Sequence, residues 1–137
     1  MTKAWNSTLK PSRMKRRTPK KRAGHNKAYL EACRGELCYL RISGVCIGGI
    51  QTIVPCHSNQ SRHGKAMGLK ARDEFTVPGC YACHAQIDSG NMFSRDEKFA
   101  IWDQAYAIWE PVRTLKMAQK NSPTTAVTVP GHVFHNF

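Results

Sequence analysis

The sequence predicts an α+β protein whose small core is stapled by a metal. Three observations predict it. A long amphipathic helix is announced by a capping box at Ser94–Glu97. Two short extended segments, near residues 50–54 and 74–80, precede it. Four cysteines are spaced so that two turns can each offer a pair of thiolates. The length of 137 residues implies one domain with tails. A basic arm is expected over 1–24, a folded unit over 25–118 and a tail over 119–137. The hydrophobic fraction of 41% is low for a packed globule of this size, which is why a staple is expected.

The arm comes first. Residues 1–22 carry nine Lys or Arg and no acid, and they supply most of the formal net charge of +12. Like charges repel and Pro11 and Pro19 oppose a helix, so a flexible segment is expected. Arg13, Lys15, Arg16, Arg17, Lys20, Lys21 and Arg22 are its candidate phosphate contacts. A merely solubilising tail is the plainer account. The overall charge favours a polyanion, with nucleic acid ahead of an anionic membrane surface.

A short helix is predicted over 26–34, ended by Gly35. Residues 37–46 read as a short strand and turn that bring Cys38 toward Cys46. A strand is expected at Ile50–Val54, then a polar, glycine-bearing loop over 57–72. Residues 74–80 return to extended character, with a turn at Pro78-Gly79. A helix should run from Tyr81 to Ile87. The capping box then opens the long helix, in which Ile101, Ala105, Ile108, Val112 and Leu115 recur at helical spacing as a core stripe, broadened by Phe99, Trp102, Tyr106 and Trp109. Pro111 should kink or restart that helix. His132 and His135 read as tail residues.

No stretch is apolar for the length a spanning helix needs, and the N-terminus lacks the apolar core of a secretory signal. A cytoplasmic protein with reduced thiols and no membrane partner is therefore expected. Six cysteines in that setting point to metal before disulfides. Cys80 and Cys83 form a Cys-x-x-Cys turn. Joined by Cys38 and Cys46, they would surround a structural Zn²⁺ with four sulfurs and leave no open position. A redox Cys-x-x-Cys is the alternative, but no thioredoxin-like βαβ pattern surrounds it. Cys33 reads as a small buried hydrophobe. Cys56 is harder to place, because it adjoins His57.

His57 closes a predicted strand, and His84 directly follows Cys83 at a helix start. A strand end, a loop and a helix start can present two imidazoles across a shallow cleft. Arg62, Lys65, Lys70 and Arg72 flank the region with Gly64 and Gly68 among them, and no acid interrupts the stretch between Gly64 and Arg72. Glycine lets backbone approach a phosphate and the cations neutralise it. A solvated loop is the plainer account.

Four segments, "ACRGELCYLRISGVC" (32–46), "CHSN" (56–59), "HGKAMGLKARD" (63–73) and "CYACHAQIDSG" (80–90), together resemble the small phage- and prophage-encoded HNH-type endonucleases. This is the ββα-metal, or His-Me finger, class. The resemblance spans about residues 30–90 and implies an HNH-like core. It also implies DNA hydrolysis in phage DNA metabolism, within the host cytoplasm. On that resemblance His57 is the general base and His84 a ligand of a catalytic Mg²⁺ or Mn²⁺. Asn59 and Asp73 are the candidates for the polar residue that orients the base. The class often has an acidic metal ligand just before the base, and here that residue is Cys56. A thiolate suits zinc better than Mg²⁺, so His63, Asp73 or Asp88 is expected to substitute. Asp88 lies four residues after His84, on the same helical face. Two rivals stand beside this reading. One is a non-catalytic zinc-stapled nucleic-acid-binding protein, the other a small basic RNA-binding protein.

Overall fold

In the computed structural model, which describes residues 18–122, the first element is a short helix, α1 (Lys27–Ala32). Asn26 caps it, its side chain accepting from the Ala28 amide at 3.1 Å. Gly35 follows the helix with φ +76°. The predicted helix is thus present, two residues shorter at its C-terminal end.

Residues 37–46 do not form the expected strand. They fold as a loop in which the Val45 and Cys46 amides both donate to the Ile42 carbonyl. Arg41 and Gly44 adopt positive φ, which interrupts any extended run. The chain must curl here to carry Cys38 and Cys46 to one point. The loop is tied to the sheet by Tyr39 N donating to Pro78 O at 2.8 Å.

The expected strand at Ile50–Val54 is displaced toward the C-terminus. Ile50–Thr52 make a 3-10 turn, closed by Thr52 Oγ1 donating to Gly48 O at 2.6 Å. Strand β1 (Ile53–His57) then pairs antiparallel with β2 (Thr76–Cys80), with Ile53 opposite Cys80 and His57 opposite Thr76. Pro78 and Gly79 lie inside β2 and make no turn. Proline is tolerated because, among the described residues, the sheet has two strands and each lies at an edge. Gly79 is required by close approach: a Cβ there would meet Leu40 Cδ1 at 2.7 Å and Cys56 Sγ at 2.8 Å.

Helix α2 (Tyr81–Asp88) follows β2 directly. Helix α3 (Arg95–Asn121) begins at the predicted capping box, with Ser94 Oγ accepting from Glu97 N and Glu97 accepting from Ser94 N. It runs unbroken through Pro111. Pro111 and Ala107, whose carbonyl loses its partner, are both exposed, so water can satisfy that oxygen. The buried stripe of α3 is Trp102, Ala105, Trp109 and Arg113, and the predicted core residues Ile108, Val112 and Leu115 are exposed. Aromatic bulk decides which face turns inward. Trp102 donates to the Cys56 carbonyl at 3.2 Å and stacks on Tyr106, and Trp109 packs edge-on against Tyr39. The buried Arg113 guanidinium sits over the Tyr29 ring at 4.7 Å. The core therefore lies between α3 and the sheet. The ββα unit of β1, β2 and α2 carries both candidate sites.

The tail residues His132 and His135, and the arm residues before 18, lie outside the described residues. No described helix is long and apolar enough to cross a membrane.

Candidate metal centre and histidine cleft

Four sulfurs converge beside the sheet. Cys38 and Cys46 come from the loop after α1, Cys80 ends β2, and Cys83 lies in the first turn of α2. Their Sγ atoms all lie within 4.8 Å of one another. A tetrahedron with Zn–S bonds of about 2.3 Å spaces its sulfurs about 3.8 Å apart, so the four residues fit a zinc ion with little adjustment. Cys38, Cys80 and Cys83 are buried and Cys46 is exposed. Cys80 also caps α2, its sulfur accepting from the Cys83 amide at 3.4 Å. Burial alone would raise its thiol, but the amides of Cys83 and Ile47 outweigh it and bring it down to about 7. Thiolate, the form a metal takes, is thus accessible near neutral pH at Cys80, whereas burial pushes Cys83 and Cys46 up.

The two remaining cysteines are core residues. Burial pushes the Cys33 thiol up to about 11, and its sulfur donates to Tyr29 O. Cys56 is fully buried and pushed further in the same direction, chiefly by burial. Successive strand residues face opposite sides. Cys56 points into the core, and its neighbour His57 lines a cleft.

That cleft encloses about 260 Å³, and His57, Asn59, Lys65, Lys70, His84 and Asp88 line it. Strand β1 ends at His57, and α2 contributes His84 and Asp88 from one face. The His57 side chain is 15% exposed, enough to meet a ligand. Its Nε2 lies 2.8 Å from Asp73 Oδ1. An ionised carboxylate only accepts, so Nε2 donates and Nδ1 keeps the free lone pair. Asp73 is fully buried and also accepts from the Asn26 amide at 2.9 Å, pairs with His25 Nδ1 at 2.9 Å and pairs with Arg22. Burial alone would raise its carboxyl, but the His57 and Asn26 hydrogen bonds and the Arg22 charge together hold it below the usual range. Burial pushes His57 below its ordinary value; the Asp73 hydrogen bond opposes this, while Lys70 and Arg22 reinforce it. His57 is consequently neutral at physiological pH.

The second imidazole is clamped in the same way. His84 Nε2 lies 2.9 Å from Asp88 Oδ2, and Asn59 Nδ2 donates to Asp88 Oδ1 at 2.9 Å. The hydrogen bond from His84 holds the Asp88 carboxyl below its usual range, and Asn59 adds to this.

His63 lies apart from this group. Its Nδ1 is 2.6 Å from Ser58 Oγ, and its ring stacks on Phe75 at 4.1 Å. Three of the predicted phosphate contacts are paired within the protein. Arg62 reaches both carboxylate oxygens of Asp103 at 2.8 Å, Arg72 pairs with Glu74 at 3.0 Å, and Arg22 pairs with Asp73. Lys65 and Lys70 face the cleft. Lys20 and Lys21 are exposed, and Arg13, Lys15, Arg16 and Arg17 fall outside the described residues. Sequence reasoning missed His25 and the Asn26 amide as partners of Asp73. No spacing signals them, because Asp73 is 47 residues from Asn26 and 16 from His57.

A family model described as "Putative nuclease YbcO" matches residues 27–122, well over half of the chain. The match covers α1, the sulfur centre, the cleft and α3. No curated protein and no solved structure matches the chain.

Proposed function

The chain belongs to the YbcO nuclease family, and from that premise we propose that it is a metal-dependent endonuclease of the ββα-metal, HNH type. In this reading it hydrolyses DNA phosphodiester bonds in the His57–His84 cleft, in phage DNA metabolism within the host cytoplasm. The observation that carries the reading is that two imidazoles line one cleft, each held on Nε2 by a carboxylate. His57, neutral and with Nδ1 unprotonated, takes the proton from the attacking water. Asp73 holds the ring in that tautomer and stabilises the imidazolium as it forms. Lys65 and Lys70 neutralise the substrate phosphate. His84 is the ligand of the divalent ion, with Asp88 the carboxylate at its side and Asn59 fixing Asp88. A bound Mg²⁺ or Mn²⁺ supplies charge neutralisation at the phosphate and the leaving oxygen. So few protein ligands suit an ion such as Mg²⁺ that keeps several waters and also binds through substrate phosphate. The zinc held by Cys38, Cys46, Cys80 and Cys83 is structural and fixes the turn from which His84 projects.

One observation favours a non-catalytic, zinc-stapled nucleic-acid-binding protein instead. Cys56 occupies the position of the acidic ligand in the HNH class and points into the core. His57→Ala decides between the two. Cutting of plasmid DNA in Mg²⁺ or Mn²⁺ should fall by about 10²- to 10⁴-fold, the usual contribution of a general base, with zinc content and helicity retained. Equal cutting by the parent and His57→Ala would remove the catalytic assignment. Parallel assays on RNA test the choice of DNA.

A further inference from the structure

A second concavity, of about 530 Å³, opens from the cleft and shares Asn59, Lys65 and Asp88 with it. Its outer wall is Arg95, Lys98 and Phe99, from the first turns of α3. Two features separate it from ordinary charged surface. Lys65, Arg95 and Lys98 are gathered in one concavity whose single carboxylate, Asp88, is already bonded to His84 and Asn59. The cations are also interleaved with aromatic surface. The Arg95 guanidinium lies 5.3 Å from the centroid of the part-exposed Phe99 ring. Lys98 is steadied by donating to the Gly90 carbonyl. A bare phosphate has no use for the ring, and an apolar ligand has no use for three cations set against one carboxylate. A nucleotide uses both.

We propose that this concavity is the subsite for an unpaired nucleotide next to the scissile phosphate. Its phosphates meet Lys65 and Lys98, and its base lies against the Arg95–Phe99 face. The substrate is therefore a strand that is single-stranded where it leaves the cleft. A base locked in a duplex cannot offer its π-face to a side chain, whereas an unpaired one can. The inference rests on the cleft being the site of cleavage, as proposed above.

Binding is measured by fluorescence anisotropy on the full chain carrying His57→Ala, in buffer without added divalent ion. The probes are a fluorescein-labelled oligonucleotide, single-stranded and annealed to its complement. The single strand should bind more tightly than the duplex. Adding Phe99→Leu, which keeps the apolar bulk but removes the ring, should weaken the single strand about fivefold and leave the duplex unchanged. Arg95→Gln with Lys98→Gln should lower the slope of log affinity against log salt by about 0.7 on the single strand, for the one phosphate contact that Lys98 makes. Unchanged single-strand affinity in folded Phe99→Leu overturns the proposal, as does an equal loss on both probes. If Phe99→Leu loses its zinc or its helicity, the salt slope of the Arg95/Lys98 variant decides, and an unchanged slope overturns the proposal. Because the parent already lacks His57, these outcomes are independent of whether His57 is the base.

Discussion

The sulfur cluster and the histidine cleft are built on opposite sides of the same short unit. Cys83 and His84 are neighbours on α2, yet one is fully buried and the other lines an open cleft. Four sulfurs within 4.8 Å of each other leave no position for a fifth partner. In the cleft each ring is clamped on Nε2, and among the described residues its other nitrogen has no partner. The first is shaped to enclose a metal such as zinc. The second is braced by carboxylates from behind and faces solvent in front. The first turn of α2 serves both, so the rigidity of the first aims the second.

If that division holds, damage to the two sides should look different. The largest effect is expected for Cys83→Ser. Removing one of four thiolates should release the zinc and cost several kcal/mol of stability, because the bound ion's free energy is folding free energy. Metal analysis alongside thermal unfolding checks this. Retained zinc and an unchanged melting temperature would make the cluster incidental.

On the cleft side, Asp73→Asn is the strongest single change. It puts an amide in place of a carboxylate, so a donor can face His57 Nε2 and favour the other tautomer, and it leaves Arg22 and His25 without their anion. Cleavage should fall by about 10²-fold, and stability by about 3 kcal/mol, with zinc retained. The acid limb of stability should change too. The folded-state pKa of Asp73 lies below its unfolded value, so its contribution is present above about pH 3.9 and is lost as pH falls through the folded value. In Asp73→Asn that component of acid unfolding should be missing, as urea titrations across pH would show.

A smaller effect sharpens the electrostatics of the open site. In the proposed mechanism His57 acts as the free base, and burial pushes its pKa below the ordinary histidine value of about 6.5. Cleavage should therefore rise to a plateau below neutral pH. The Lys70 charge helps hold that pKa down, so Lys70→Ala should move the acid limb toward higher pH. Movement in the opposite direction, or none, would mean the limb reports another group.

The two regions also differed in how far they could be read from the chain. The sulfur cluster was legible because Cys-x-x-Cys is a local signal and the second pair needed only a turn. The capping box at Ser94 and the strand–helix junction at Cys80 were legible for the same reason. What failed depended on contacts distant in sequence. Residues 37–46 have strand-like composition, but docking two cysteines on the ion site curls them. Of the broad stripe expected on α3, Trp102, Ala105 and Trp109 are buried while Ile108, Val112 and Leu115 are exposed, because the bulky indoles centre the buried face on themselves. In the cleft, His57, His84, Asp88 and Asn59 were named from the chain and do lie together. Asp73 was named beside Asn59 as a candidate to orient His57, and it is Asp73 that meets His57 Nε2. What the chain did not announce is that Arg22, His25 and the Asn26 amide converge on the same carboxylate, because nothing local marks partners drawn from so far away.

The central claim is that the α2 junction carries two separate metal positions with different tasks. Electron paramagnetic resonance of added Mn²⁺ on zinc-loaded protein tests it most directly, comparing the parent with His84→Ala. The account predicts that the parent takes up Mn²⁺ beside its zinc, and that His84→Ala loses the Mn²⁺ signal while zinc content stays unchanged. Mn²⁺ binding that survives His84→Ala intact, or zinc that departs with it, would contradict the account.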